Sequence, residues 1–497
     1  MSFVSLVFII FLLVTIVLYF LFPKKYRYIV LLLANIFFYV YSCRLLSVFL
    51  LFSIVSVYFS GKAIEKEKNK KKRKGILWLT IAVNVLVLLL FKDYNLFASS
   101  INGHFGSTLS LIDIAAPIGI SYYTLVAISY LIDIYYGRTK AIKNLVKLVL
   151  PMTFFPLMIE GPIVKVGEIA DSLYEGQKFD YKNLKYGYLR ILWGLMKKLV
   201  IADRAAIMVN QVFGGDYTGL HVIAAMILYA VQIYAEFSGC MDIVIGIGRI
   251  FGVKIPENFR QPFFSRDISE FWRRWHITLG RWLKDYIFFP LAMSKKNLKI
   301  NLVSHKKLPR FLADVLTSFV PLFGVWSIMG LWHGYGIKYF VYGMYYFVLI
   351  ILGMLLKPLF DWGVRRLKIK TDCFSFHFLQ STRTCLFVII GLTLFRSESL
   401  SAFSEIILNA TRLGDFYQQS LIDLMGGMHN LVVLCGAFLA VLIVDFVKYR
   451  GIGIDDWLEK QNLPFRYAIF LGILFSVLIF GMYGYGYNPA SFIYEGF

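Results

Sequence analysis

The chain has 497 residues, of which 58% are hydrophobic, 18% are aromatic and only 16% are charged. Average soluble domains carry about 25% charged residues, so this composition excludes a soluble enzyme, a disordered chain and a disulfide scaffold. The net charge of +22 would point to nucleic acid in a soluble protein, but here the basic residues lie between apolar runs. We therefore predict an all-α integral membrane protein whose basic residues set topology and contact anionic lipid, with no nucleic-acid partner.

Apolar runs recur along the whole chain. A membrane-spanning helix needs roughly 20 apolar residues, because a helix satisfies its own backbone hydrogen bonds in hydrocarbon. The first run has no basic residues before it and no small-residue cleavage site, so we predict a retained span rather than a signal peptide. The pattern predicts one domain, 1–497, that forms a multi-span helical bundle. Its twelve predicted spans are 3–22, 28–43, 45–60, 76–97, 114–136, 189–213, 222–248, 314–331, 337–356, 382–396, 430–447 and 467–486.

The loops between these runs alternate in charge. Loops 24–27 and 62–74 hold three and eight basic residues, whereas loops 98–113 and 214–221 hold none. By the positive-inside rule the basic loops are cytoplasmic. This multi-pass topology places both termini on the outer side of the membrane.

Two segments differ from simple spans. The short run 145–159 contains Pro151 and Pro156, which predicts a re-entrant or broken helix buried in protein. The stretch 249–310 carries 14 basic and four acidic residues together with many aromatics. Its spacing predicts an amphipathic helix at the cytoplasmic interface. The apolar positions of that helix are Ile268, Phe271, Trp272, Trp275, Leu279, Trp282, Leu283 and Tyr286.

The predicted amphipathic helix also carries charge. Asp267, with Glu270 three residues later, is the expected cap at its start. Arg273 and Arg274 lie off the apolar face, where guanidinium groups reach phosphate, so we assign both to substrate binding. Three further arginines are candidates to bind either the phosphates of the donor or lipid headgroups: Arg249, Arg260 and Arg266.

Two histidines are candidates for catalysis. His333 stands between two apolar runs, in Gly330-Leu331-Trp332-His333-Gly334-Tyr335-Gly336. An ionisable residue at membrane depth is a functional candidate, and imidazole can act as a general base at neutral pH. The alternative is a hydrogen-bonded histidine in an interhelical turn. His276 either lines a cavity that contacts the donor or bonds a neighbouring carbonyl at the interface, and spacing alone favours the second.

Carboxylates inside apolar runs are candidates for binding. Glu236 and Asp242, with Ser238 between them, fit the orientation of a histidine or the binding of a polar substrate. Helix–helix hydrogen bonding explains them equally well. The five scattered cysteines form no C-x-x-C pair and no Cys/His cluster, so the sequence predicts neither disulfides nor a metal site.

Several motifs follow one another in the second half of the chain. They are Gln232-Ile233-Tyr234-Ala235-Glu236-Phe237-Ser238-Gly239, Asp242, Pro256-Glu257-Asn258-Phe259, Phe271-Trp272-Arg273-Arg274-Trp275-His276-Ile277-Thr278-Leu279, Trp282-Leu283-Lys284-Asp285-Tyr286 and Gly330-Leu331-Trp332-His333-Gly334. This order resembles the membrane-bound O-acyltransferases, specifically the bacterial alginate O-acetyltransferase branch. The resemblance is clearest over about 230–346, and Gly161-Pro162-Ile163 and Phe492-Ile493-Tyr494 fit the same branch.

The resemblance implies an O-acetyltransferase of a bacterial cytoplasmic membrane with a central tunnel. An acetyl group from cytoplasmic acetyl-CoA is expected to reach an extracellular polysaccharide through a hydrolase-like outer protein, and no bound cofactor is expected. His333 matches the family's essential histidine, Trp332 beside it is assigned to substrate binding, and His276 is a second catalytic candidate. Tyr494 matches the tyrosine proposed to carry the acyl group outward.

The resemblance and the span count disagree about one position. Span counting puts His333 near an outer turn, so we predict that 324–336 dips into the protein. Tyr346 stands where the family often has a second histidine, which implies that this histidine is not needed for transfer.

Three other functions fit parts of the sequence. A branch of the same class moves D-alanine to teichoic acid. In that branch the tyrosine-containing tail has its counterpart in a separate small peptide, whereas in this sequence a similar tail is part of the chain itself. A polysaccharide transporter or flippase fits the many spans and the intramembrane acids. A non-catalytic scaffold of an export complex would tolerate loss of His333.

Overall fold

The computed structural model describes residues 1–106, 116–334, 336–413 and 420–483, and the regular elements in these ranges are helical. Eight helical segments there are long and apolar enough to cross a membrane, and two shorter apolar helices accompany them. The eight are Lys24–Lys66, Lys70–Lys92, Leu220–Ile250, Arg310–His333, Ile337–Arg366, Phe374–Arg396, Met428–Tyr449 and Leu463–Phe480. The predicted all-α membrane class is confirmed.

The helices follow one another with short connections. The first eleven are α1 (Leu6–Leu21), α2 (Arg27–Cys43), α3 (Ser47–Lys66), α4 (Lys70–Phe105), α5 (Ile120–Tyr135), α6 (Leu145–Met152), α7 (Phe155–Met158), α8 (Val166–Glu175), α9 (Tyr181–Met196), α10 (Asp203–Phe213) and α11 (Leu220–Ile250). The others are α12 (Ile268–Arg274), α13 (Ile277–Leu283), α14 (Phe289–Ala292), α15 (Lys295–Lys307), α16 (Arg310–His333), α17 (Ile337–Arg366), α18 (Phe374–Arg396), α19 (Leu400–Thr411), α20 (Leu421–Leu424), α21 (Met428–Tyr449), α22 (Ile454–Glu459) and α23 (Leu463–Phe480).

The chain forms two compact units. Unit 1 comprises residues 1–196, 237–257 and 483–497, and unit 2 comprises residues 197–236 and 258–482. Helix α11 therefore supplies residues to both units. The predicted span 189–213 is divided between α9, α10 and a π-helical turn, Lys197–Ala202, which we call the π turn.

In unit 1, the predicted break within 145–159 is present between α6 and α7. Asn35 of α2 holds this break, because its side-chain oxygen accepts a hydrogen bond from the Phe155 amide at 2.9 Å. The Asn35 side-chain nitrogen donates to the Thr153 hydroxyl at 3.2 Å and to the Leu150 carbonyl at 3.4 Å. A buried amide thus satisfies backbone groups that the interrupted helix leaves open.

Small residues set the spacing of α9 and α11 in unit 1. A Cβ atom on Gly187 would collide with the Gly246 carbonyl, and one on Gly194 would collide with the Gly239 carbonyl. The two helix backbones therefore approach closely, as small residues allow in membrane bundles.

In unit 2, the single amphipathic helix predicted from Ile268 onward is wrong, because α12 and α13 are separate helices. At the break, the Arg260 amide donates to the Arg274 carbonyl at 2.9 Å. The Ile277 amide donates to the Asn258 carbonyl at 3.0 Å. These bonds to an earlier segment of the chain take the place of helical hydrogen bonds.

The start and the aromatic face of α12 are well defined. The Asp267 carboxylate accepts a hydrogen bond from the Glu270 amide at 2.7 Å, which confirms the predicted cap. Phe271 and Trp275 are buried, with their rings stacked 5.4 Å apart, and Trp275 lies 5.0 Å from Phe259. The aromatic face therefore packs against protein within unit 2.

Helices α16 and α17 of unit 2 pack closely through two glycines. A Cβ atom on Gly343 would collide with the Trp326 carbonyl, and one on Gly330 would collide with the Tyr339 carbonyl. This contact positions the C-terminal end of α16, where Gly330 precedes His333 by one helical turn.

We expect Gly343→Ala to destabilise the protein by about 1–3 kcal/mol, because the added methyl group forces α16 and α17 apart. Gly353→Ala is the matched control in the same helix, since a Cβ there meets no atom within 4 Å. The control is expected to be neutral or stabilising by up to about 1 kcal/mol through helix propensity. Melting temperatures from tryptophan fluorescence in detergent would measure both variants, and equal stability would contradict the close helix contact.

Candidate functional site

His333 is the last residue of α16, and only 2% of its surface is exposed. The centre of its ring lies 4.8 Å from that of Trp332, 5.2 Å from that of Phe395 and 5.9 Å from that of Tyr342. These aromatic side chains keep bulk water from the imidazole. A substrate that reaches His333 therefore meets it in surroundings that strengthen electrostatic interactions.

The segment 324–336, predicted to dip into the protein, belongs to the continuous helix α16 as far as His333, and His333 is buried. The ring is buried because α17 supplies Tyr342 and α18 supplies Phe395. Helix α16 ends at His333, and a Cβ atom on the next residue, Gly334, would collide with the ring of Tyr339.

His276 lies in the break between α12 and α13, not on a helical face as its spacing predicted. Its φ angle is 47°, in the left-handed region, and its side chain is buried. The His276 Nδ1 atom lies 3.2 Å from the side-chain nitrogen of Asn258 and 3.4 Å from its side-chain oxygen, so one partner of the ring comes from a segment 18 residues earlier in the chain. Burial lowers the pKa of His276 from 6.5 to about 3.

Trp332 lies close to both histidines. The centre of its indole ring is 6.0 Å from that of His276 and 4.8 Å from that of His333. Unit 2 therefore brings together residues that the sequence analysis selected from two separate motifs. Two imidazoles near one indole can serve two functions at one reacting group, such as proton acceptance and hydrogen-bond donation.

Glu236 belongs to a buried ion cluster in unit 2. Its carboxylate lies 2.8 Å from the Lys198 ammonium, which also lies 3.0 Å from the Asp203 carboxylate. All three side chains are at most 6% exposed. This arrangement corresponds to helix–helix bonding, which is the alternative explanation for Glu236.

The sequence analysis missed Lys198 and Asp203. A signal was present, because the run 189–213 contains the adjacent pairs Lys197-Lys198 and Asp203-Arg204 within an apolar context. Charges of opposite sign five residues apart predict internal pairing. The π turn also marks this place, since π-helical turns often occur at functional sites.

Asp242 belongs to a different ion cluster, in unit 1. Its carboxylate accepts a hydrogen bond from Arg190 at 3.0 Å, and the same guanidinium binds both oxygens of Glu257 at 2.7 and 2.6 Å. Bidentate geometry makes this a strong pair. The sequence analysis selected Asp242 but not its partners, which lie 52 residues earlier and 15 residues later in the chain.

The remaining predicted site residues lie in varied surroundings. Arg273 is exposed, whereas Arg274 binds the Glu270 carboxylate at 2.7 Å. Ser238 is buried. Tyr494 lies outside the described residues. Within the described ranges, no group of three or more His, Cys, Asp or Glu side chains is placed to hold a metal ion.

Comparison with known proteins identifies similar sequences. A family model described as the membrane-bound O-acyltransferase family matches residues 144–305, a range that includes His276 and ends before His333. The probable alginate O-acetylase AlgI of Azotobacter vinelandii is 31% identical over 449 residues, which cover 88% of this chain and 82% of that protein.

Two further relatives modify other cell-envelope polymers. The peptidoglycan O-acetyltransferase of Helicobacter pylori is 32% identical over 354 residues, covering 65% of this chain and 63% of that protein. The teichoic acid D-alanyltransferase of Bacillus subtilis is 30% identical over 246 residues, covering 47% of this chain and 58% of that protein. These relatives share acyl transfer and differ in acyl group and acceptor.

The low pKa of His276 predicts a loss of stability in acid. Between pH 6.5 and 3 the unfolded chain binds a proton at this residue and the folded protein does not, so the free energy of unfolding falls as pH decreases. The largest slope from one group is about 1.4 kcal/mol per pH unit. Melting temperatures measured from pH 7 to pH 4 should decrease less in His276→Gln than in wild type.

The exposed His305 provides the matched control for this measurement. His305→Gln is expected to keep the acid sensitivity of the wild type. Identical pH dependence in His276→Gln and wild type would contradict a buried, neutral His276.

Proposed function

This chain belongs to the membrane-bound O-acyltransferase family and is an O-acyltransferase, and we propose that it passes acetyl groups from cytoplasmic acetyl-CoA to an extracellular polysaccharide. The observation that carries the proposal is the row of His276, Trp332 and His333 in unit 2, in which both histidines are buried and Trp332 contacts each of them. Two O-acetylating relatives support acetyl as the acyl group.

The proposed chemistry is attack by a hydroxyl group on the donor thioester. His333 accepts the hydroxyl proton while the hydroxyl oxygen forms a bond to the acyl carbon. The carbon–sulfur bond then breaks, and the thiolate of CoA takes the proton from His333. The products are an acetyl ester and free CoA, and His333 returns to its starting state.

The proposed topology places the donor on the basic side of a bacterial cytoplasmic membrane, with both termini outside. Exposed Arg273 and the basic residues of 249–310 provide charge for the donor phosphates or for anionic lipid. Moving an acetyl group, and not the whole donor, avoids carrying several phosphate charges through hydrocarbon.

In the proposed pathway, Tyr494 receives the acetyl group and presents it outside. A hydrolase-like outer protein then accepts the group and modifies the polysaccharide. This step extends the family resemblance of the C-terminal Phe492-Ile493-Tyr494 motif to the present chain.

Transfer of D-alanine to teichoic acid is the second candidate function. The relative from Bacillus subtilis favours it, although that similarity covers 47% of this chain. The two functions differ in the donor, which is acetyl-CoA in one and a D-alanyl carrier protein in the other.

We expect purified His333→Ala to transfer acetyl groups from labelled acetyl-CoA at least 100-fold more slowly than the wild type, because a general base typically contributes about that much to the rate. His305→Ala is the matched control, because His305 is exposed and lies 3.1 Å from Asp314. Undiminished transfer by His333→Ala would remove the proposed base.

The same preparation supplied with a D-alanyl carrier protein distinguishes the second candidate. Transfer from that donor but not from acetyl-CoA would replace acetylation by D-alanylation. Absence of any covalent change to either donor would favour a transporter or a scaffold.

We expect mass spectrometry of the C-terminal peptide to find an acetyl group on Tyr494 after incubation with acetyl-CoA. The modification should be absent in Tyr494→Phe and in His333→Ala, and it should persist in Tyr483→Phe, which changes an exposed tyrosine close to the same terminus. An unmodified peptide during active turnover would eliminate the tail as an acyl carrier.

A further inference from the structure

Asn258 is a buried side chain at the centre of the break between α12 and α13. None of its surface is exposed. Its side-chain oxygen accepts hydrogen bonds from the Thr278 amide at 3.0 Å and from the Thr278 hydroxyl at 2.9 Å. Its backbone carbonyl accepts from the Ile277 amide at 3.0 Å. Asn258 therefore fixes the chain immediately after His276.

These contacts determine which way the Asn258 amide points. A backbone N–H only donates, so the side-chain atom that faces the Thr278 amide must be the oxygen. The other terminal atom is then the NH2 nitrogen, which lies 3.2 Å from His276 Nδ1.

The orientation of Asn258 determines the tautomer of His276. His276 Nδ1 also lies 3.4 Å from the Asn258 side-chain oxygen, but that oxygen already accepts two shorter hydrogen bonds from Thr278. The shorter contact, from the NH2 group, therefore assigns Nδ1 as an acceptor without a proton. In a neutral imidazole the proton then resides on Nε2, at the far edge of the ring from Asn258. The φ angle of 47° is uncommon for a histidine, so surrounding contacts hold the backbone as well as the ring.

We propose that Asn258 is a positioning residue that keeps His276 as the Nε2–H tautomer, so that His276 acts as a hydrogen-bond donor and His333 acts as the base. The inference rests on the proposed acyl transfer. The ring of Trp332 lies near both imidazoles, 6.0 Å from that of His276 and 4.8 Å from that of His333.

The donor role of His276 fits the charge that develops during transfer. When the hydroxyl oxygen bonds to the acyl carbon, the thioester carbonyl oxygen becomes negative. The Nε2–H of His276 stabilises that oxygen through a hydrogen bond, and no bond at His276 is formed or broken. The proton of the attacking hydroxyl goes to His333 and then to the departing thiolate.

The carboxylate variant Asn258→Asp tests this division of roles. An aspartate keeps the oxygen that Thr278 binds and has nearly the same shape, but its second oxygen accepts a hydrogen bond. The His276 proton then moves to Nδ1, and Nε2 loses the hydrogen that it donates. We expect the kcat for acetyl transfer to fall about 100- to 1,000-fold, as when one oxyanion donor is removed. The KM for acetyl-CoA should change little.

The matched control is Asn430→Asp, which also adds one negative charge to unit 2. Asn430 binds Arg204 at 3.0 Å and lies outside the histidine row, so the control should keep wild-type kcat. If the only role of Asn258 is to hold the backbone through its oxygen, Asn258→Asp keeps that role and should be as active as the wild type. Full activity of Asn258→Asp would therefore overturn the inference while leaving the proposed function intact.

A direct measurement keeps the test independent of activity. Nitrogen NMR of histidine-labelled wild-type protein, with the His276→Gln spectrum subtracted, should show a protonated Nε2 and an unprotonated Nδ1 at His276. Asn258→Asp should show the reverse, with a protonated Nδ1 and an unprotonated Nε2. A wild-type signal with the proton on Nδ1 would refute the assignment even if the chain transferred no acetyl group at all.

Discussion

The burial of charge in a largely apolar protein is the constraint on which the rest of this structure depends. A buried ion needs a partner of opposite charge, because removing one member of a buried pair costs about 3–5 kcal/mol. Lys198 meets Glu236 and Asp203 in unit 2, and Arg190 meets Asp242 in unit 1. Apolar side chains can pack against one another in many arrangements, whereas a buried ion must lie next to its partner. These clusters therefore fix the register of the helices that carry them.

Polar groups of the candidate site lie where helices end, for a related reason. His333 is the final residue of α16, and His276 lies between α12 and α13. Helix ends leave backbone groups that bind side chains, so an inward-facing imidazole and its partner can be held there together. Aromatic rings fill the surrounding volume, and Phe395 and Trp332 contact the histidines directly. The site therefore combines fixed orientation with exclusion of water.

The sequence predicted features that depend on local patterns. The long apolar helices, the Asp267 cap and the break within 145–159 follow from composition and spacing along a short stretch of chain. The partner of Glu236 was not predictable in this way, since Lys198 lies 38 residues away and pairing depends on packing. The break at His276 was missed for the same reason, because it depends on hydrogen bonds to a segment that local periodicity does not include.

The π turn also limits how far the C-terminal end of the chain can reach. Its Leu199 carbonyl accepts a hydrogen bond from the Met482 amide at 3.0 Å, and nearby Arg204 donates to the Phe480 carbonyl at 2.7 Å. These bonds tether the backbone directly after α23. An extended chain spans at most about 3.6 Å per residue, so Tyr494 stays within a radius of roughly 40 Å of this tether. The tether thus limits the volume that the C-terminal residues of the chain can reach.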